Sequence, residues 1–151
     1  MPAPAAAWHK EHLWATVNIC DTEQNPNVLG VRASMPGNGT RQTMWMRFRA
    51  TYFDRTSEEW RSVGGTSRSP WIKVGRARYH RQAGRTFRIE PPLPVTSWVV
   101  RGIVQYRWTR RQKNRRKVVR RAKQKTLSGH PTGPHGDPYD YSNGICEITS
   151  P

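Results

Sequence analysis

Hydrophobic and polar residues alternate along much of this chain with a period of two. In residues 44–53, Met44, Met46, Phe48, Ala50 and Tyr52 fall on one face and Arg47, Arg49 and Thr51 on the other, as in a strand that buries one side. Residues 99–108 repeat the pattern, with Val100, Val104, Tyr106 and Trp108 inward and Arg101, Gln105 and Arg107 outward. After a basic stretch, residues 117–126 resume it, setting Val118, Ala122, Gln124 and Thr126 against Arg121, Lys123 and Lys125. These two segments are expected to form a long hairpin. Shorter strands are expected at 13–21, at 28–34 and, as an edge piece, at 60–63. Segments 71–81 and 85–90 flank Gln82-Ala83-Gly84, a connection of hairpin length.

Turn formers punctuate these segments: Asn25-Pro26-Asn27, Pro36-Gly37-Asn38-Gly39, Gly64-Gly65, Pro91-Pro92-Leu93-Pro94 and the loop 129–138. No window sustains a helical period, and the 12 Pro and 12 Gly weigh further against helices. A chain of 151 residues is one domain's worth and can bury a real core. With no internal repeat and no linker, the expectation is a single antiparallel β-sandwich over 13–151, preceded by a flexible segment at 1–12. The small residues of Met1-Pro2-Ala3-Pro4-Ala5-Ala6-Ala7 suit the remnant of a processed or recloned mature chain.

The two cysteines, Cys20 and Cys146, each sit in a short apolar stretch near opposite ends of the chain. Pairing them would join the first strand to the last, an arrangement of exported proteins; the alternative is two separate buried thiols. The hairpin of 98–108 with 117–126, in which Tyr106-Arg107-Trp108 is followed by Val118-Val119-Arg120, resembles the closing strands of immunoglobulin-like and fibronectin-type β-sandwich modules. Cys20-Asp21-Thr22 with Asn25-Pro26-Asn27, and the closing Tyr141-Ser142-Asn143-Gly144-Ile145-Cys146, resemble small uncharacterised secreted proteins of high-GC Gram-positive bacteria. The resemblance implies an immunoglobulin-like sandwich in a secreted protein and brings no activity or binding residue with it. One departure stands out, because antibody-type domains bridge two internal strands around a buried Trp.

Formal net charge is +16, and Arg outnumbers Lys. Such a field favours polyanions: nucleic acid, anionic cell-wall polymer, acidic glycan or anionic lipid headgroups. Guanidinium adds a planar donor set matched to phosphate and carboxylate, although a GC-rich genome would supply part of the Arg excess without any selection for binding. The densest run is Arg107 to Arg121. There Arg110, Arg111, Lys113, Arg115, Arg116 and Lys117 are the candidate anion-binding residues, with Trp108 as a stacking neighbour. The plainer account is a solvated connection whose charges keep the hairpin soluble and block edge pairing. A second candidate is a flat basic plate of Arg47, Arg49, Arg101, Arg107, Arg121 and Lys123, provided that their strands are neighbours. Of the 7 Trp residues, Trp45, Trp71, Trp98 and Trp108 are expected in the core, and Trp8, Trp14 and Trp60 nearer the surface.

Catalytic constellations are thin. Asp54, Glu58, Glu59, Glu90, Asp137 and Asp140 form no recognisable acid–base pair, and Asp137-Pro138-Tyr139-Asp140 is accounted for by turn formation. His9, His12, His80, His130 and His135 make no zinc spacing with either Cys. Asn38-Gly39-Thr40 matches a glycosylation acceptor, which matters only in a eukaryotic secretory route. The expectation is therefore a secreted, non-enzymatic binding or adhesion module for an anionic polymer or cell surface, with no cofactor, metal or transmembrane segment. Its alternatives are a structural subunit assembling by strand pairing into a filament or coat, and a nucleic-acid-binding small β-barrel.

Overall fold

The alternation of 44–53 and 99–108 becomes the centre of a large antiparallel sheet. In the computed structural model, which describes residues 9–65 and 67–149, the strands are β1 (Trp14–Cys20), β2 (Val28–Met35), β3 (Thr43–Asp54), β4 (Glu59–Ser62), β5 (Ile72–Arg76), β6 (Arg81–Arg88), β7 (Ser97–Gln112), β8 (Arg115–Lys125) and β9 (Cys146–Thr149). The large sheet runs β4-β3-β7-β8, with β5 lying beyond β4 along the same edge of β3 and β9 sharing an edge of β7 with β8. The small sheet is β1-β2-β6. Among the described residues there is no α-helix, only 3-10 turns at Lys10–His12 and Gly133–His135.

The inner faces of the two sheets meet in one core. Val17, Leu29, Val31 and Met35 from the small sheet are fully covered together with Met44, Met46, Phe48, Val104, Tyr106 and Trp108 from the large one. Burying side chains of this size contributes roughly 1.5–3 kcal/mol each, which is why the apolar parity of β3 and β7 dictates which face turns inward. The polar tips of the two large aromatics are also used: Tyr106 Oη donates to Trp14 O at 2.8 Å and Trp108 Nε1 to Pro36 O at 3.1 Å. Both bonds cross from the large sheet toward the small sheet or its adjoining loop. Gly102 marks a close approach between the sheets, because a Cβ built there would lie 2.6 Å from Val31 Cγ2.

After β8 the chain leaves the large sheet and seals the outer edge of β1. Leu127 N donates to Ala15 O, and Asn143 exchanges both backbone hydrogen bonds with Val17, at 2.8 and 3.1 Å. Asp137 anchors the loop on the other side, accepting from Thr22 Oγ1 and from Asn25 Nδ2 at 2.7 Å. These side-chain donors hold its carboxyl below the usual carboxylate range. The chain then enters β9, where Cys146 bonds to Cys20 with their Cα atoms 5.5 Å apart. Thus the disulfide does join the first strand to the last, but these are not paired neighbours: β1 belongs to the small sheet and β9 to the large one.

Two expectations on strand layout are corrected. Gln82-Ala83-Gly84 is not a turn, since it lies inside β6, paired with Ser34, Ala33 and Arg32 of β2. The flanking segments separate into β5 of the large sheet and β6 of the small one. Their local pattern admitted a hairpin; the long-range pairing with β3 and β2 decided otherwise. Nor is the basic stretch a loop. Strands β7 and β8 continue through it to a two-residue turn, Lys113-Asn114, both residues with positive φ (48° and 63°) as a type I′ hairpin needs. Met1 to Ala7 and Trp8 lie outside the described residues.

Two outcomes test this arrangement. The bridge spans a sequence separation of 126 residues, so reduction, or Cys20→Ser with Cys146→Ser, should lower stability by about 4–5 kcal/mol in the chain-entropy account, read as a shift in the urea midpoint. His130 stacks on Trp14 with ring centroids 4.7 Å apart, and burial there lowers its pKa. Because the unfolded chain takes up that proton more readily, His130's contribution is fully present above the unfolded value near 6.5. It is lost as the pH falls from there through the folded value. Stability curves measured against pH should therefore drop more in the parent than in His130→Phe over this interval; parallel curves would contradict the assignment.

Candidate polyanion-binding face

The outward parity of β3, β7 and β8 builds the site. Cross-strand register sets Arg47 beside Gln105 and Lys123, Arg49 beside Ile103 and Lys125, Arg107 between Trp45 and Arg121, and Arg101 beside Thr51. Paired residues share a face, so the six expected plate residues Arg47, Arg49, Arg101, Arg107, Arg121 and Lys123 do stand on one surface. Tryptophans lie among them. Arg101 covers the Trp60 ring at 4.0 Å, Arg107 and Arg47 cover Trp71 at 4.2 and 4.6 Å, and Arg116 covers Trp45 at 4.4 Å, each measured from Cζ to a ring centroid. Trp45 Nε1 donates to Thr109 Oγ1 at 2.9 Å and Arg47 Nε to Gln105 Oε1 at 2.8 Å. These contacts fix the rings and the guanidinium groups in a layer over the sheet.

No described carboxylate neutralises that layer. The ion pairs among the described residues are His9 with Glu11, Arg61 with Asp54 and Glu59, and Arg88 with Glu90, and none of them involves a plate cation. The guanidinium pKa of Arg47 is lowered, first by burial and then by the charges of Arg68, Arg107 and Arg49; that of Arg107 is lowered by burial and then by Arg116 and Arg121. For Arg101 burial alone is the cause. Cations thus crowd one another under partial desolvation. The Nε atoms of Arg49, Arg101 and Arg107 are covered and have no hydrogen-bond partner among the described residues.

The face carries three open depressions, each with one tryptophan. One of about 470 Å³ is lined by Trp60, Arg49, Arg101 and Lys125; one of about 410 Å³ by Trp71, Arg47, Arg107 and Arg121; one of about 620 Å³ by Trp45, Arg76, Arg110, Arg111, Arg115 and Arg116. The third reaches the hairpin tip. Of the tip residues expected from the sequence, Arg110, Arg111, Arg115 and Arg116 line it, whereas Lys113 occupies the turn and Lys117 lies opposite Arg110 without entering the lining. All six are exposed.

The chain matches no family model, no curated protein and no solved structure. Its own geometry is therefore what bears on the site.

Trp108 lies in the core as its parity predicts, and its expected role as a stacking neighbour is corrected. It is fully buried, with its N–H bonded to the Pro36 carbonyl, and has no face left for a ligand. Trp45 and Trp71 depart from expectation in the other direction, since both belong to the outer layer and not to the core. For Trp45 a sequence signal existed: it has the same parity as Arg47 and Arg49. For Trp71 and Trp60 there was none, because their places over β3 and β7 follow from nonlocal pairing of β5 and β4. Among the described residues, no group of three or more His, Cys, Asp and Glu is arranged to hold a metal, and no helix is long and apolar enough to cross a membrane.

The two kinds of tryptophan should separate by stability. Trp108→Ala opens a core cavity and is expected to lose about 3–5 kcal/mol. Trp60→Ala gives up its contacts with Arg101 and with the Phe53 ring, roughly 1 kcal/mol for each and about 2 kcal/mol together. Urea denaturation of both variants checks this, and equal losses would contradict the division.

Proposed function

We propose that this protein is a secreted, non-enzymatic binding module for an extended anionic polymer, which lies across the outer face of the large sheet and runs onto the β7–β8 tip. The observation that carries the proposal is the like-charge pairing of the hairpin. Arg107 stands opposite Arg121 and Arg111 opposite Arg116 on the outer parity of β7, and Arg110 stands opposite Lys117 on the other parity at the tip. Like charges directly opposite on a sheet are destabilising. A surface serving only solubility has no need of such pairs, since alternating signs would serve it and stabilise the strands as well. A polyanion bound across the rows removes the repulsion and gives acceptors to cations that no described carboxylate neutralises.

The spread of the charges along three strands and the openness of the three depressions suit a polymer better than a small ligand. Secretion is supported by the Cys20–Cys146 disulfide, which persists in oxidising compartments. Reading the two sheets as an immunoglobulin-like sandwich belongs to the same proposal, supported by their shared core.

The triple variant Arg47→Gln, Arg107→Gln, Lys123→Gln removes three plate cations while leaving the core residues unchanged. Binding of heparin, polyphosphate and DNA should be followed from low to physiological salt. If all three cations contact the polymer, the salt slope for duplex DNA should become shallower by about 2.7, with a parallel weakening for the other polymers. A folded variant that binds every polymer as the parent does would overturn the proposal.

A further inference from the structure

The tryptophans of the plate do not offer bare faces. Each has a guanidinium over its ring, at 4.0–4.6 Å for Trp60, Trp71 and Trp45. A sugar that packs its C–H face on an aromatic ring needs that ring open, so this layer is poorly made for neutral glycan stacking. A polymer of bare phosphates would use the charges and ignore the planes. The guanidinium itself has two faces: with one on the indole, the other is available to a planar base, while its Nη groups are the donors left for phosphate oxygens, the Nε of Arg47 being bonded to Gln105 and those of Arg101 and Arg107 being covered.

We propose that the polymer bound here is single-stranded nucleic acid, held by phosphate contacts to the cations and by bases stacked on the indole–guanidinium layers. This rests on the polyanion reading above and narrows it to one chemistry. Each of the three depressions combines one such layer with further cations, and each includes neutral hydrogen-bonding groups: Thr51 and Gln124 near Trp60, Gln105 near Trp71, and Gln42, Thr109 and Asn114 near Trp45. Those groups suit the edges of unpaired bases. Along β3 the layer extends from Trp45 to Phe53, against which Trp60 is paired, eight residue steps or about 27 Å at the strand rise. That length accommodates several nucleotides, the scale of a single-strand site on a small β domain. A duplex keeps its bases stacked on one another and would leave the layers unused.

The test compares the folded, oxidised protein with a single-stranded oligodeoxynucleotide, an abasic oligonucleotide of the same length and sugar–phosphate backbone, the corresponding duplex, and polyphosphate. The expected result is binding of the base-bearing strand roughly tenfold or more tighter than the abasic strand at the same salt, as one or more stacked bases would give, with quenching of tryptophan fluorescence. Arg101→Lys with Arg107→Lys keeps both charges and removes both planes. This variant should lose part of the base-dependent advantage, Arg47 over Trp71 and Arg116 over Trp45 remaining in place, while its salt slope stays that of the parent. Equal binding of abasic and base-bearing strands, or tighter binding of duplex, would overturn the single-strand inference and leave the polyanion reading standing. Absence of salt-dependent binding to any of the four would overturn both.

Discussion

Strand β7 is the constraint on which this protein depends. It pairs with β3, β8 and β9, and its inner residues Val100, Val104, Tyr106 and Trp108 lie in the core shared with the small sheet. The strict two-residue period leaves no freedom in the other face. Once Trp108 and Tyr106 are buried, Arg101, Gln105 and Arg107 must stand outside, and β3 and β8 in register with them add Arg47, Arg49, Arg121 and Lys123. A slip of one residue would turn guanidinium groups into the core, which no pairing on that side could compensate. Core and charged face are thus two consequences of one register.

Closure of the domain uses different means at its two ends. Toward the hairpin tip, like charges face each other across β7 and β8, an unfavourable arrangement that the long ladder sustains. At the other end, the segment from Thr126 to Cys146 crosses to the small sheet, covers the β1 edge and returns to pair with β7. The disulfide lies at this crossing and ties the sheets together where β9 contributes only a short ladder. A covered edge removes one template for strand addition, while the charged strand β8 protects another. The disulfide-tied end carries the fold's reinforcement, and the repulsive end carries part of the proposed polymer site.

The electrostatics of the face come from assembly more than from composition. A net charge of +16 spread evenly would only raise affinity for anything negative. Here the acidic side chains that make ion pairs do so with other partners, and the plate cations meet indole rings in place of carboxylates. Stacking orients each guanidinium without neutralising it, so its charge and its plane both remain available. That combination distinguishes an organised surface from a merely basic one.

By itself the sequence determined most of the strand-forming segments with their inward and outward faces and the sign of the surface, while it left the pairing of Cys20 with Cys146 as one of two readings, which the structure decided. The first two follow from local period and from charge, and those signals need no knowledge of what lies next to what. Trp45 was within the same reach, because its parity matches that of Arg47. The tertiary structure decided the rest. Gln82-Ala83-Gly84 became a strand interior because β2 offered a partner, and the basic run became strand because β7 and β8 zip to their turn. Trp60 and Trp71 came to lie beneath arginines of β3 and β7. Pairing between distant segments is a contest among all possible partners for the same apolar surface and the same backbone donors, and no local pattern states its outcome.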